Sequence, residues 1–167
     1  MTLNTLRHVD ATRPAGAVRR AYAAFSATRV VRFVSRHVGW KLDPFLLRVT
    51  GGRISTTLFI ASGLLETTGA RTGQPRRHAV IYFHDGERVT IVASNAGSPH
   101  HPAWYFNVKA HPDVMFAGVP MRATVIGDET ERDRLWKLAD NVFPAYATYR
   151  RDAAEANRTI PIIQLTG

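Results

Sequence analysis

Four short stretches hold the side chains that could do chemistry. The first is TTGARTGQPRR, residues 67–77, between the apolar pairs and runs Leu64-Leu65 and Ala79 to Phe83. A tight hairpin needs only two to five turn residues. This connection is longer, and it concentrates Arg71, Arg76 and Arg77 beside two glycines. Arginine supplies charge-assisted contacts to phosphate or carboxylate. Glycine and threonine expose backbone N–H groups and allow a ligand to come close. The Walker spacing GxxxxGK[ST] is missing, and so is a Rossmann fingerprint. A solvated basic hairpin is the competing reading. The second stretch, Ala93-Ser94-Asn95-Ala96-Gly97, ends a strand. Its small residues leave room for a flat ligand, or they make an ordinary strand-to-helix turn. In the third, His101 to Asn107, Trp104 and Tyr105 either line a pocket or fill the core. The fourth is FPAYATY, residues 143–149. Tyr146 and Tyr149 are three apart and share a helix face, so they either present two hydroxyls to one substrate or pack with the hydroxyls solvated. His78, His84, His100, His101 and His111 fit no standard zinc spacing and lack a carboxylate cluster, so no metal site is expected.

These stretches need elements to hold them. Thr57 to Ala61, Leu64 to Thr68, His78 to His84 and Arg88 to Ser94 read as strands, the last two joined at Asp85-Gly86. Ala103 to Ala110 reads as a short helix after Ser98-Pro99 and Pro102. Val114 to Ala117 and Met121 to Ile126 form a second hairpin near Gly118. Asp128 to Phe143 has the stripe Leu135, Leu138, Ala139 and Val142, with acidic residues in its first turn and Pro144 beyond its end. A helix from Ala145 to Asn157 and a strand from Ile160 to Leu165 complete the chain. Few long crossovers occur, so a largely antiparallel sheet of six or seven strands with helical cover is expected, an α+β barrel.

Composition narrows the class. The length suits one domain with a single core. Cysteine is absent, which excludes disulfides and thiolate catalysis. No run of apolar residues is long enough to span a membrane, and no signal-peptide pattern opens the chain, so a cytoplasmic location is expected. The net charge is +9. Residues 1–53 hold ten Lys or Arg against Asp10 and Asp43, and so carry nearly all of it. Residues 1–14 read as a loose tail and residues 15–38 as a basic helix. That helix either lies on an anionic membrane surface, at the inner face of the membrane, or covers the barrel with its arginines solvated. Nucleic acid is not the expected partner, because the aromatics and the basic residues do not interleave.

Taken in order, TTGARTGQPR, VASNAGSPHHPAWYFNVKAHPDV, FPAYATY and IPIIQL resemble the deazaflavin-dependent nitroreductase family, within the split β-barrel flavin and deazaflavin oxidoreductases. The resemblance implies a split β-barrel over residues 42–167, preceded by a basic tail and helix over residues 1–41. It implies an 8-hydroxy-5-deazaflavin coenzyme (F-420), with FMN as second choice. The opening loop would grip its polyanionic part. Arg71 stands at a basic position of the family motif and Arg76 at the arginine after Gln-Pro; Thr72, Gly73, Gln74 and Pro75 would wrap the coenzyme. Ala93, Ser94 and Asn95 would lie against the deazaflavin ring through main-chain groups. Trp104, Tyr146 and Tyr149 would border the substrate pocket. The chain departs from its relatives at Ala70 and Asn95, where many carry a basic residue, with Arg77 able to compensate, and at Phe143, in place of a tyrosine. The implied reaction is hydride transfer from deazaflavin C5 to an enone, quinone or nitroaromatic, with Tyr146, then Tyr149, as proton donor or polariser. A non-catalytic lipid- or flavin-binding barrel is the alternative, and monomer and homodimer are both open.

Overall fold

A computed structural model describes residues 7–12, 16, 17, 21 and 60–167. The expected helix at 15–38 and the boundary between residues 41 and 42 lie outside the described residues or nearly so. Within them the chain runs β1 (Ser62–Thr68), β2 (Pro75–Asp85), β3 (Arg88–Val92), α1 (Ala103–Ala110), β4 (Asp113–Phe116), β5 (Val119–Val125), α2 (Glu129–Val142), α3 (Ala145–Glu155) and β6 (Ile162–Thr166). The six strands close into a barrel in the order β1-β2-β3-β6-β5-β4, and every neighbouring pair is antiparallel. Closure leaves no free sheet edge.

Strand alternation divides the apolar residues between two cores. Leu65, Val80, Tyr82, Val89, Ile91, Phe116, Ala123, Ile163 and Leu165 fill the barrel, with Trp104 and Val108 of α1 among them. Phe83, Val92 and Ile162 face the other way and meet Leu135, Ala139 and Val142 of α2 and Tyr146, Tyr149 and Ala153 of α3. Both faces of β3 and β6 are therefore covered, which is why they read as continuous apolar runs. The stripe on α2 follows from its i, i+4, i+7 spacing. Asp128 caps α2, its carboxylate accepting from the Glu131 N–H at 2.8 Å. No described helix is long and apolar enough to cross a membrane.

Three expectations change. The described end of the expected strand 57–61, Ile60 and Ala61, is not strand, and pairing starts at Ser62. The long connection 67–77 shrinks to residues 69–74, because Arg76 and Arg77 pair with Thr67 and Glu66. Charge alone made those arginines look like turn residues. β3 stops at Val92, two residues early, since the chain then turns left-handed at Asn95 and Ala96.

Candidate functional site

The loop after β1 is built around its own backbone. Gly69 N–H donates to Gln74 C=O at 2.9 Å, and Gly73 N–H donates to Gly69 C=O at 2.8 Å. A Cβ on Gly69 would meet Thr72 Oγ1 at 2.9 Å and Gln74 O at 3.1 Å, so glycine is required there. Gly73 takes a φ of 66°, which a larger residue adopts only with strain. Asn107 of α1 then fixes the loop from outside. Its Oδ1 accepts from Ala70 N–H at 3.0 Å and its Nδ2 donates to Thr67 Oγ1 at 3.0 Å.

Residues 70–77 are all exposed. Arg77 is committed to Glu66, Nε to Oε2 at 2.7 Å. Arg71 and Arg76 have no ion-pair partner among the described residues. Two strand steps inward from Arg76 is His78, which lies on the same face of β2 as Val80 and Tyr82. Burial, then the Arg76 charge, holds the His78 imidazole below its ordinary value, and its Nε2 is buried without a partner.

The second segment is turned inside out. Ser94 is right-handed (φ −69°, ψ −38°); Asn95, Ala96 and Gly97 follow with φ of 47°, 50° and 73°. A left-handed alanine costs about 1–2 kcal/mol, so something must hold it there. Arg158, from the segment between α3 and β6, does so. Its guanidinium is buried and donates to the carbonyls of Ala93, Ser94 (3.0 Å) and Ser98 (2.6 Å), and through Nε to His101 Nδ1 at 3.1 Å. Burial, then the charges of Arg158 and Lys109, keeps His101 below the ordinary histidine range and so able to accept. Every peptide bond among the described residues is trans. In a planar trans peptide the N–H points opposite to the preceding C=O. The Ser94 and Asn95 amides therefore point away from the guanidinium. Successive N–H groups across a right-handed to left-handed step form an anion-binding concavity.

The tyrosines sit behind this turn. A Cβ on Gly97 would come within 3.1 Å of Tyr149 Cα and 3.2 Å of its carbonyl, so α3 packs directly on the turn. Tyr146 is buried edge-on against Phe143 (5.2 Å between centroids), Trp136 (6.0 Å) and Tyr149 (6.2 Å). Burial, then Tyr149 and Asp140, pushes its hydroxyl well above the ordinary tyrosine range. That hydroxyl finds no hydrogen-bond partner among the described residues. Trp104 is buried in the barrel cluster with Ala93, so it lies near the turn as a core residue.

Of the sequence-derived residues, then, Arg71 to Arg77 share one hairpin, and Ala93, Ser94 and Asn95 share a turn with Tyr149 against it. The segment 100–107, which runs into α1, joins the two groups. Asn107 holds the hairpin, while Asn95 Nδ2 bonds the His100 carbonyl at 2.9 Å just ahead of α1. Arg158 and Asn107 were missed by sequence reasoning; their partners lie up to 65 residues away and left no local signal. His78 was weighed only as a metal ligand, and its buried, unpartnered Nε2 depends on how β2 closes into the barrel. A groove of about 690 Å³ beside β1, β4 and β5 includes only Pro75 of the expected residues, together with Glu66, Met115 and Arg122.

Residues 41–167 match the family described as F420H(2)-dependent quinone reductase. An F420H(2)-dependent quinone reductase of Mycobacterium tuberculosis is 37% identical over 148 residues, 82% of this chain and 97% of that protein. A solved F420-H2 dependent reductase, FDR-A, is similar with a TM-score of 0.55 at 34% identity, over 63% of this chain and 93% of its own. A solved domain-swapped dimer is similar with a TM-score of 0.57 at 28% identity, over 75% of this chain and 97% of its own.

Proposed function

This chain belongs to the F420H(2)-dependent quinone reductase family, and we propose that it reduces a quinone at a site formed by the hairpin loop 69–74, the turn 94–97 and Tyr146. It is an oxidoreductase that uses coenzyme F-420. The observation that carries the site is the pair of bonds at the two ends of segment 100–107: Asn107 Oδ1 accepts from Ala70 N–H of the arginine-bearing loop, and the His100 carbonyl accepts from Asn95 Nδ2 of the turn.

The residues fit a flat coenzyme with an anionic tail. Arg71 and Arg76 are cations without an ion-pair partner among the described residues, the Ser94 and Asn95 amides face away from the protein's own acceptor-binding guanidinium, and Ala93 is small. The bound coenzyme supplies a hydride. The protein aligns donor and acceptor, an effect able to provide about 7–11 kcal/mol of barrier lowering. Arg71 and Arg76 hold the tail. The Ser94 and Asn95 amides hold the coenzyme against the strand end. Tyr146 keeps its proton and donates a hydrogen bond to a quinone oxygen. So weak an acid polarises better than it releases a proton, so solvent supplies the proton that accompanies the hydride to the hydroquinone.

The matched span 41–167 supports a coenzyme-binding unit over residues 42–167 behind a basic extension. The domain-swapped dimer among the similar structures supports a homodimer.

The test is titration with oxidised and reduced coenzyme F-420, beside FMN, followed by anaerobic turnover of quinones. Saturable binding of F-420, weakened about tenfold by Arg76→Ala as expected for a charge-assisted contact, supports the reading. No binding, or a preference for FMN, overturns it.

A further inference from the structure

The turn 94–97 is an unfavourable backbone whose carbonyls are gathered by one buried side chain. Asn95, Ala96 and Gly97 are all left-handed, and three carbonyls around them converge on the Arg158 guanidinium. The backbone bonds from Gly97 N–H to Ser94 C=O at 3.1 Å and from Ser98 N–H to Asn95 C=O at 3.0 Å close the turn locally. They do not fix the direction of the Ala93 carbonyl. Arg158 does, and with it the opposite direction of the Ser94 amide.

We propose that Arg158 is a positioning residue of the coenzyme site. It gathers the carbonyls of Ala93, Ser94 and Ser98 on one side of the chain, and thereby presents the Ser94 and Asn95 amides to the acceptor atoms of the deazaflavin ring on the other. His101 Nδ1 completes the arrangement by accepting from Nε, which sets the plane of the guanidinium. Lysine cannot substitute, because an ammonium is a compact point charge without the planar fork that spans several acceptors. Two features mark the arrangement as more than a satisfied core arginine. Arg158 has no carboxylate partner among its hydrogen bonds, so all of its donor capacity goes to this segment and to His101. The segment that it orders is also the one whose side chains are small or neutral, so its backbone is what a ligand meets.

The inference rests on the coenzyme reading above, and the experiment separates the two. Coenzyme affinity, coenzyme and quinone KM, kcat and thermal midpoint are measured for the wild type, Arg158→Lys, Arg158→Ala, His101→Phe and His101→Asn. Wild-type protein that does not bind F-420 sinks the reading itself. With wild-type binding established, Arg158→Lys is expected to lose about tenfold or more in coenzyme affinity, the scale of hydrogen bonds to a charged group. That loss is expected in coenzyme KM, with quinone KM little changed. Millimolar guanidinium is expected to restore affinity in Arg158→Ala. Equal coenzyme affinity in wild type and Arg158→Lys overturns the proposal, as does a loss in Arg158→Ala that guanidinium does not rescue. Should neither Arg158 variant fold, the half-exposed His101 decides. His101→Phe is expected to weaken coenzyme binding and His101→Asn, whose amide oxygen takes the same hydrogen bond, to recover it. Two His101 variants that bind alike overturn the proposal.

Discussion

Tyr146 combines two properties that seldom coexist in one side chain. It is buried with its ring packed edge-on against three aromatics, yet its hydroxyl has no hydrogen-bond partner among the described residues. The hydroxyl is thus uncommitted within the described residues, and a quinone oxygen is the partner proposed for it above. Tyr146→Phe keeps the ring packing and removes only the hydroxyl. It is expected to leave coenzyme affinity and thermal midpoint near wild type and to lower quinone kcat about tenfold or more, as loss of a transition-state hydrogen bond does. Unchanged kcat across several quinones would remove Tyr146 from the chemistry. The sequence placed Tyr146 and Tyr149 on one face because helical spacing is local information. It gave no hint of Asn107 or Arg158. Asn107 reaches back 40 residues to Thr67 and 37 to Ala70, and Arg158 reaches back 65 to Ala93. Contacts at such separations are made by the closed barrel, and neither residue type nor spacing announces them.

Among the elements, the segment 7–12 behaves as a strap across the helical core. Val9 N–H donates to His84 Nδ1 at 3.1 Å, and His84 N–H donates to Val9 C=O at 3.0 Å. Tyr82 Oη donates to Arg7 C=O at 2.9 Å, Asn141 Nδ2 donates to Ala11 C=O at 3.1 Å, and Ala11 is buried under α2. His84 must be neutral at Nδ1 to accept. Burial, then the neighbouring His8, lowers its pKa, which favours that neutral form. A base whose folded pKa lies below its unfolded value near 6.5 binds more protons when unfolded. Its full support is therefore present above about pH 6.5 and is lost as pH falls from there through the lowered folded value. His78 and His101 shift the same way, so acid destabilises through all three. Urea unfolding at pH 8 and pH 5 is expected to show this loss, and His84→Gln is expected to reduce it. Identical pH profiles for the two proteins would mean that the strap does not depend on His84. Strands and hairpins were legible from alternation and from Asp85-Gly86, since those signals are short-range. The strap was read as a loose tail, because Val9 and Ala11 are the only apolar residues among its six, too few to show a period; what orders them is the surface they land on.

For the molecule as a whole, charge and fold are distributed differently. The closed barrel and its three helices occupy residues 62–166, while the excess of Lys and Arg sits mainly in residues 1–53. At the proposed site the barrel's cations without an ion-pair partner among the described residues are Arg71 and Arg76, both exposed. Exposed charges are screened over about 10 Å at 0.1 M salt. F-420 affinity is therefore expected to fall as ionic strength rises, and the double variant Arg71→Ala with Arg76→Ala to show a flatter dependence. Equal salt slopes would move the anion contact elsewhere, with the basic N-terminal third the next place to look. At this scale the resemblance of several ordered motifs gave the barrel and the coenzyme, whereas the order of strands and helices alone reached only an α+β barrel with covering helices. The closure of β1 onto β4 could not be read, because only two residue pairs make that seam.

The inverted turn at residues 94–97 also bears on how such a protein tolerates change. If the ligand meets amides there, position 94 can drift in identity with little penalty, because every residue except proline brings the same N–H, whereas position 95 is restrained by its left-handed φ of 47° and by its own bond to the His100 carbonyl. The inheritance of that surface is vested in Arg158, far along the chain, and in a glycine at 97 that leaves Tyr149 its space. A lineage could rewrite a visible letter of its binding turn and keep the function, while one substitution in an unremarkable stretch near the C-terminus would end it.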